Sequence, residues 1–206
     1  GQLGDGTTDQ RTKATLVTGL SGVTTITAGE AHTCAVASAG AVHCWGANVP
    51  DGDPEFFARQ YATPTRVGSL SGWTDVSVAP YAGCGIESGR VFCWGENSNG
   101  GVGDGTTTNR TAPTQVGSAT NWVQVATGGQ HTCMRNAAGD AYCVGYNGYG
   151  QVGSGDFVTP QLSLTLVSDT LRWTHLSSGG SHTCGITDDQ RLFCWGQGVL
   201  GQLGWG

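Results

Sequence analysis

The sequence predicts an all-β protein, a β-propeller built of four-stranded antiparallel blades, and three features lead to that prediction. A pattern of about fifty residues occurs four times, each copy carries two cysteines, and the composition favours strands. The first cysteines of the four pairs follow one another at intervals of 50, 49 and 51 residues. A period of this length is typical of propellers, in which each unit buries its apolar face against its neighbour.

The composition supports short strands and tight turns. The chain has 36 glycines and only 12% charged residues, and it is rich in threonine, valine and tryptophan. Its net charge of −6 and the lack of a lysine and arginine cluster argue against binding to a nucleic-acid backbone. No apolar run approaches the roughly 20 residues of a membrane-spanning helix. We therefore expect neither a nucleic-acid partner nor a direct membrane span.

The repeat organises the chain as one propeller-type domain. The copies span about 1–50, 51–100, 101–150 and 151–200, and the start of a fifth occupies 201–206. The tetrapeptide at 201–204 repeats the one at 1–4, which a ring closed at four blades would make redundant. We therefore expect an incomplete ring, or a portion of a longer chain.

Each copy is predicted to contain four strands. A glycine turn and an outer strand come first, as at 103–106 and 111–116, then an inner strand, then a hairpin that carries the cysteines. Two columns of the inner strand are expected in the core. A large residue opens the strand (Val23, Trp73, Trp122, Trp173) and an aliphatic residue follows three positions later (Ile26, Val76, Val125, Leu176).

The cysteine spacing predicts one disulfide within each hairpin. Zinc sites prefer two to four residues between paired ligands, whereas eight or nine intervene here, enough for a complete hairpin. Residues directly opposed across a hairpin lie within the span of a disulfide. The predicted pairs are Cys34–Cys44, Cys84–Cys93, Cys133–Cys143 and Cys184–Cys194. Four disulfides persist only in an oxidising compartment, so we expect an extracytoplasmic protein, periplasmic, cell-surface or secreted.

Two segments of the first copy, 28–36 and 1–7, resemble the repeat of the regulator of chromosome condensation family. The resemblance recurs in phase over essentially the whole chain. It implies a propeller with four antiparallel strands per blade, usually seven blades, and a broad binding face. The cysteine pairs depart from the nuclear and cytosolic members and look like those of extracytoplasmic bacterial relatives. The family's nucleotide-exchange activity is not expected, because its exchange elements have no counterpart here.

Several polar residues recur at positions that could suggest a metal site. His32, His131 and His182 occupy one column. A hydrogen bond to the neighbouring loop backbone, made in the same way in every repeat, explains them better than a metal, because equivalent residues on successive blades would not converge on one ion. Asp5 and Asp104 flank glycine turns, where turn formation explains them.

The best calcium candidate is the cluster of Asp51, Asp53 and Glu55, although calcium wants six to eight oxygens. No Gly-x-Ser-x-Gly elbow is present, so we expect no catalytic residues and no cofactor.

The second copy departs most from the repeat, and it is where function is predicted. It has Ala79-Pro80-Tyr81-Ala82-Gly83-Cys84 where the others have Gly-x-x-His-Thr-Cys, and its glycine turn is replaced by a longer segment. Loops of a repeat scaffold commonly display binding residues. The candidate partner-binding residues are Phe56, Phe57, Arg59 and Tyr81.

The predicted function is a noncatalytic protein-binding scaffold, an accessory or recognition subunit of an extracytoplasmic or membrane-anchored assembly. Two alternatives remain: a secreted enzyme inhibitor, and a carbohydrate-binding propeller that would stack sugars on Tyr146 and Tyr149.

Overall fold

The computed structural model describes residues 1–47 and 59–204, and within these ranges fifteen β-strands form four antiparallel sheets. Blade 1 contains β1 (Thr25–Ala28), β2 (His32–Ala37), β3 (Ala41–Ala47) and β4 (Gln60–Arg66). Blade 2 contains β5 (Trp73–Val78), β6 (Ala82–Glu87), β7 (Arg90–Gly95) and β8 (Arg110–Gln115). Blade 3 contains β9 (Trp122–Thr127), β10 (His131–Asn136), β11 (Ala141–Gly145) and β12 (Gln161–Leu166). Blade 4 contains β13 (Trp173–Ser178), β14 (His182–Thr187) and β15 (Leu192–Gly196).

Each strand pairs with the next along the chain, so every blade is a simple antiparallel meander. The outer strand that opens one sequence copy pairs with the hairpin of the copy before it, as β8 pairs with β7. The structural blades are therefore shifted from the sequence copies. Because β15 has no such partner among the described residues, blade 4 has three strands where four were expected, whereas blades 1 to 3 have four. The predicted all-β propeller fold is confirmed.

The hairpins have the registers that the cysteine spacing predicts. In blade 2, Cys84 lies opposite Cys93 and the connection is the two-residue turn Ser88-Gly89, with φ of 50° and 75°. In blade 1 the turn has three residues, 38–40, and Gly40 adopts φ of 63°. All four predicted disulfides are present (Cys34–Cys44, Cys84–Cys93, Cys133–Cys143, Cys184–Cys194).

The core lies between the blades, where one face of each hairpin packs against the inner strand of the next blade. Trp122 and Val125, for example, bury against Ile86 and Val91 of blade 2. Three of the four predicted inner-strand pairs are buried in this way.

The fourth pair, in blade 1, does not lie in the core. Val23 is 48% exposed and Ile26 is 66% exposed. The prediction was wrong here because a residue in this column is covered by the hairpin of the preceding blade, and no blade precedes blade 1 in the described structure. In the same residues no helix has the length and apolar character needed to cross a membrane.

Candidate functional site

A set of hydrogen bonds, here called the latch, joins blade 3 to blade 4 at the end of the blades where β10 and β14 begin. The Thr183 hydroxyl donates to the carbonyl of Gln151 at 3.0 Å, and the His131 Nε2 lies 2.8 Å from the same hydroxyl oxygen. The one hydroxyl proton is used on Gln151, so the His131 Nε2–H must donate to Thr183. The Trp195 indole N–H also donates to the Gln151 carbonyl, at 3.0 Å. The latch therefore fixes residues 147–156, in the connection between β11 and β12, against blade 4.

The His131 side chain is buried, and its surroundings keep it neutral. Burial, with a smaller contribution from the charge of His182, lowers the pKa of His131 from 6.5 to about 4. Burial likewise lowers the pKa of His32 to about 4. His131 has a structural role, but its partner is the Thr183 side chain of the next blade and not the loop backbone that the sequence analysis expected. Within residues 1–47 and 59–204, no three histidine, cysteine or acidic side chains come together as a metal site would require.

Part of the same latch recurs in blade 1. The Thr33 hydroxyl and the Trp45 indole N–H both donate to the carbonyl of Gln2, at 3.1 and 2.9 Å. The turn at 1–4 therefore lies across blade 1 as the turn at 150–153 lies across blade 4.

Blade 2 lacks both latch residues, because Ala82 and Gly83 stand where the other blades have histidine and threonine. A Cβ on Gly83 would come within 2.8 Å of the Trp94 ring, so the indole occupies the space of the missing side chain. Trp94 also makes an edge contact with Trp73, with 6.0 Å between ring centroids. The latched blade 4 has the equivalent contact, Trp195 with Trp173, at 5.3 Å between ring centroids.

Tyr81 is displayed at this end of blade 2. Its carbonyl accepts a hydrogen bond from Glu96 N at 2.8 Å, which anchors the backbone, while the side chain is 50% exposed. Arg59 is exposed and immediately precedes β4. Because β4 and β6 run in the same direction within their sheets, Arg59 and Tyr81 lie at the same end of adjacent blades.

Five other predicted residues lie outside the described residues. They are the remaining partner-binding candidates and the calcium candidates: Phe56, Phe57, Asp51, Asp53 and Glu55.

The acidic turns have their carboxylates occupied by neighbouring side chains. Asp5 accepts from Arg11 Nε at 2.7 Å and from the Thr7 hydroxyl at 2.8 Å, and these bonds, that of Arg11 first, lower the pKa of Asp5 to about 2. Asp104 makes the same contacts with Thr106 and Arg110. These bonds support the turn interpretation.

A polar groove along the inner strands was missed by sequence reasoning. Asp75 accepts from Val125 N of the next blade at 3.1 Å, and burial is the main reason that its pKa is raised. Gln124 makes two bonds to the Leu176 backbone, at 2.9 and 3.0 Å. With His175, these residues line a cavity of about 650 Å³. The missed signal is a polar residue two positions after each inner-strand tryptophan.

The two candidate glycan-binding tyrosines lie close together on blade 3. The rings of Tyr146 and Tyr149 meet edge to face with centroids 6.0 Å apart, and Tyr149 is 45% exposed. Tyr149 borders a mainly apolar cavity of about 660 Å³, which also includes Phe157 and Trp195. The pair offers one exposed aromatic edge beside this cavity.

The chain matches sequence models of a known repeat. Two models, both described as the regulator of chromosome condensation (RCC1) repeat, match residues 88–134 in one case and 23–49, 122–151 and 173–202 in the other. Together they cover more than half of the chain.

Two curated human proteins and a solved yeast structure are similar over parts of their length. The E3 ubiquitin-protein ligase HERC2 is 37% identical over 84 residues, which are 39% of this chain and 2% of that protein. The regulator of chromosome condensation is 36% identical over 81 residues, 39% of this chain and 19% of that protein.

Prp20p of Saccharomyces cerevisiae, solved in work on its binding to Gsp1p and histones, superimposes with a TM-score of 0.79 at 17% identity. The superposition covers 89% of this chain and 47% of Prp20p. The chain thus spans less than a fifth of these curated relatives and about half of this solved structure.

Proposed function

Because the chain belongs to the regulator of chromosome condensation (RCC1) repeat family, we propose that it is a noncatalytic scaffold that binds another protein. Prp20p, a structural neighbour, binds Gsp1p and histones, which supports protein recognition as a use of this fold. The ligase activity named for HERC2 is not part of the proposal, since the match covers 2% of that protein. A fold supports many functions, so a specific function has to come from a particular region of this chain.

The departure of blade 2 from the repeat carries the proposal. Blades 3 and 4 use histidine and threonine to close their joint, whereas blade 2 has Ala82 and Gly83 and exposes Tyr81 beside them. A half-exposed tyrosine on an anchored backbone provides a large, rigid contact at low entropic cost, which suits an interface hot spot. Arg59, exposed at the same end, is part of the same proposed face. Phe56 and Phe57 remain predicted binding residues.

The proposed setting is an extracytoplasmic or membrane-anchored assembly. Four disulfides, one in each hairpin, support an oxidising environment, because thiols are kept reduced in the cytosol. The protein would serve there as an accessory or recognition subunit.

Affinity capture from native membranes and culture medium, with identification of the bound protein, tests this function. Binding of the captured partner would then be measured with Tyr81→Ala, Arg59→Ala and the double variant of Phe56 and Phe57. Truncating a hot-spot residue weakens binding by about 30-fold or more. Tyr149→Ala, an exposed aromatic on blade 3, is the matched control and should bind as the unaltered chain does. Equal affinity of all variants would exclude this face.

A second candidate function rests on the edge-to-face pair of Tyr146 and Tyr149. An exposed aromatic edge beside a cavity suits stacking against a sugar ring. A glycan array tests it, with Tyr149→Ala expected to abolish any signal and Tyr81→Ala to leave it intact. An array without binding would reject carbohydrate recognition.

A further inference from the structure

The polar groove along the inner strands contains an arginine at a position where the other blades have an aliphatic residue. Two residues after the first hairpin cysteine, blades 1 and 2 have Val36 and Ile86, each 1% exposed in the core between blades. Blade 3 has Arg135 at this position. Arg135 lies opposite Gln124, and opposed side chains share a face of the sheet, here the face that meets blade 4. A guanidinium therefore stands where the repeat places a core residue.

The positive charge of Arg135 has little to compensate it. A guanidinium carries five N–H donors. Among the described residues Arg135 makes two hydrogen bonds, from Nε to the Gln124 amide oxygen and from Nη1 to the Asn136 carbonyl, and both are weak at 3.5 Å. No described carboxylate pairs with it, whereas Arg90 and Arg172 both form ion pairs. Burial lowers the pKa of Arg135, as expected of a charge that has lost water without gaining a counter-ion.

The joint that contains Arg135 has both of its blades in place. Asp75 of blade 2 accepts a hydrogen bond from Val125 N of blade 3, and the Gln124 amide bonds to the N–H and the carbonyl of Leu176 in blade 4. These two polar side chains of the groove therefore satisfy the backbone of the next inner strand. Arg135 has no such structural use, because its two bonds stay within blade 3.

The groove beside Arg135 has the size and the lining of a small-molecule site. Its volume of about 650 Å³ falls within the range of such sites, roughly 300 to 1,000 Å³. Besides the guanidinium, side chains that carry oxygen line it: Thr25, Thr27, Thr74, Asp75 and Ser77. A guanidinium binds a planar carboxylate through two parallel hydrogen bonds, and hydroxyl and carboxylate oxygens accept bonds from the hydroxyl groups of a ligand.

We propose that the polar groove binds a small carboxylic acid that carries hydroxyl groups, such as a sugar acid, with its carboxylate on Arg135. Asp75 restricts the ligand to a single carboxylate, because a second one would meet a like charge, and it accepts a hydroxyl hydrogen instead. The bound carboxylate supplies the counter-ion that Arg135 lacks. Tyr81 is not part of this groove, so the site is independent of the proposed protein-binding face.

Calorimetric titration of the purified chain with D-glucuronate, its disulfides intact, tests the ligand class. D-Glucose has the hydroxyl groups without the carboxylate, and should bind at least about tenfold more weakly because it forms no charge-assisted bond to Arg135. Inorganic phosphate should also bind more weakly, since its extra negative charge is repelled by Asp75. No binding of glucuronate, equal affinity for glucose, or tighter binding of phosphate would each overturn the proposal.

Arg135→Ile separates a binding role from a structural one. It restores the aliphatic residue of the repeat, so the chain should fold with a higher urea midpoint, because an unpaired and partly buried charge is removed. Its affinity for glucuronate should fall by about tenfold or more. Arg135→Lys keeps the charge but loses the two parallel donors, and should bind with intermediate affinity.

Arg191→Ala, at an exposed arginine outside the groove, is the control for these variants and should bind glucuronate as the unaltered chain does. A lower urea midpoint for Arg135→Ile would show that Arg135 serves the fold, and an unchanged affinity would remove it from the site. Either result would overturn the proposal.

Discussion

The joint between blades 3 and 4 and the joint between blades 1 and 2 bury the same repeat columns with different chemistry. At the first, His131, Thr183 and the Gln151 carbonyl form a chain of hydrogen bonds. At the second, Gly83 replaces the threonine, and the Trp94 ring fills the space against Trp73. Trp195 packs on Trp173 in blade 4 as Trp94 packs on Trp73 in blade 2, so the two joints differ in the histidine–threonine bond and not in the indole.

The largest expected effect is the loss of the indole from the joint that has no latch. Trp94 is 1% exposed, so Trp94→Ala should lower the free energy of unfolding by about 3 to 5 kcal/mol. Val144 holds this column in blade 3, and Val144→Ala should cost about 2 kcal/mol because it removes fewer buried atoms. Urea unfolding of both variants measures the difference. An equal or smaller cost for Trp94→Ala would mean that the indole is not what closes blade 2.

Both joints should respond to acid, because burial and not the latch sets the pKa of each histidine. The folded-state pKa of His32 and of His131, about 4, lies below the 6.5 of an unfolded chain. Between these values the unfolded chain binds protons and the folded chain does not. The contribution of each neutral histidine to the free energy of unfolding is therefore fully present above pH 6.5. It is lost as the pH drops towards 4, by about 3 kcal/mol for each histidine.

Urea unfolding as a function of pH measures this slope. His131→Gln should remove about half of it. A flat profile between pH 6.5 and 4 would contradict the burial argument.

The smallest effect separates the complete latch from the partial one. Thr183→Val removes the acceptor of His131 and the donor to Gln151, and should cost about 1 to 3 kcal/mol. Thr33→Val removes only the bond to Gln2 and should cost less than about 1 kcal/mol, because water can replace it at this partly exposed site. Thermal and urea unfolding compare the two, and equal costs would show that His131 gains nothing from Thr183.

Local pattern was sufficient to predict the hairpins and much of the core. The spacing of Cys84 and Cys93 sets a two-residue turn between strands of known register, so the disulfide and the pairing follow together. Trp122 and Val125 are buried as predicted, because each blade repeats the same contact. The partners of the latch could not be read from the repeat, since His131 and Thr183 come from different blades.

The same limit applies to the candidate sites. The irregular sequence around Tyr81 was visible without a structure, and Tyr81 remains a predicted binding residue. The groove formed by Asp75 and Gln124 was not visible, because a polar residue in a strand does not reveal which backbone atoms of the next blade it will meet.

Short-range rules determined the repeat, the hairpins and the cysteine pairs, because strand alternation and turn length act within about fifteen residues. Which apolar residues are covered was decided by the assembly of blades. Val23 and Ile26 occupy positions of the repeat that are buried in the other blades, yet both are exposed in blade 1. Burial at these positions depends on a neighbouring blade that the local sequence does not specify. The tertiary arrangement also gave each outer strand to the preceding hairpin, because an antiparallel meander pairs each strand with the next along the chain.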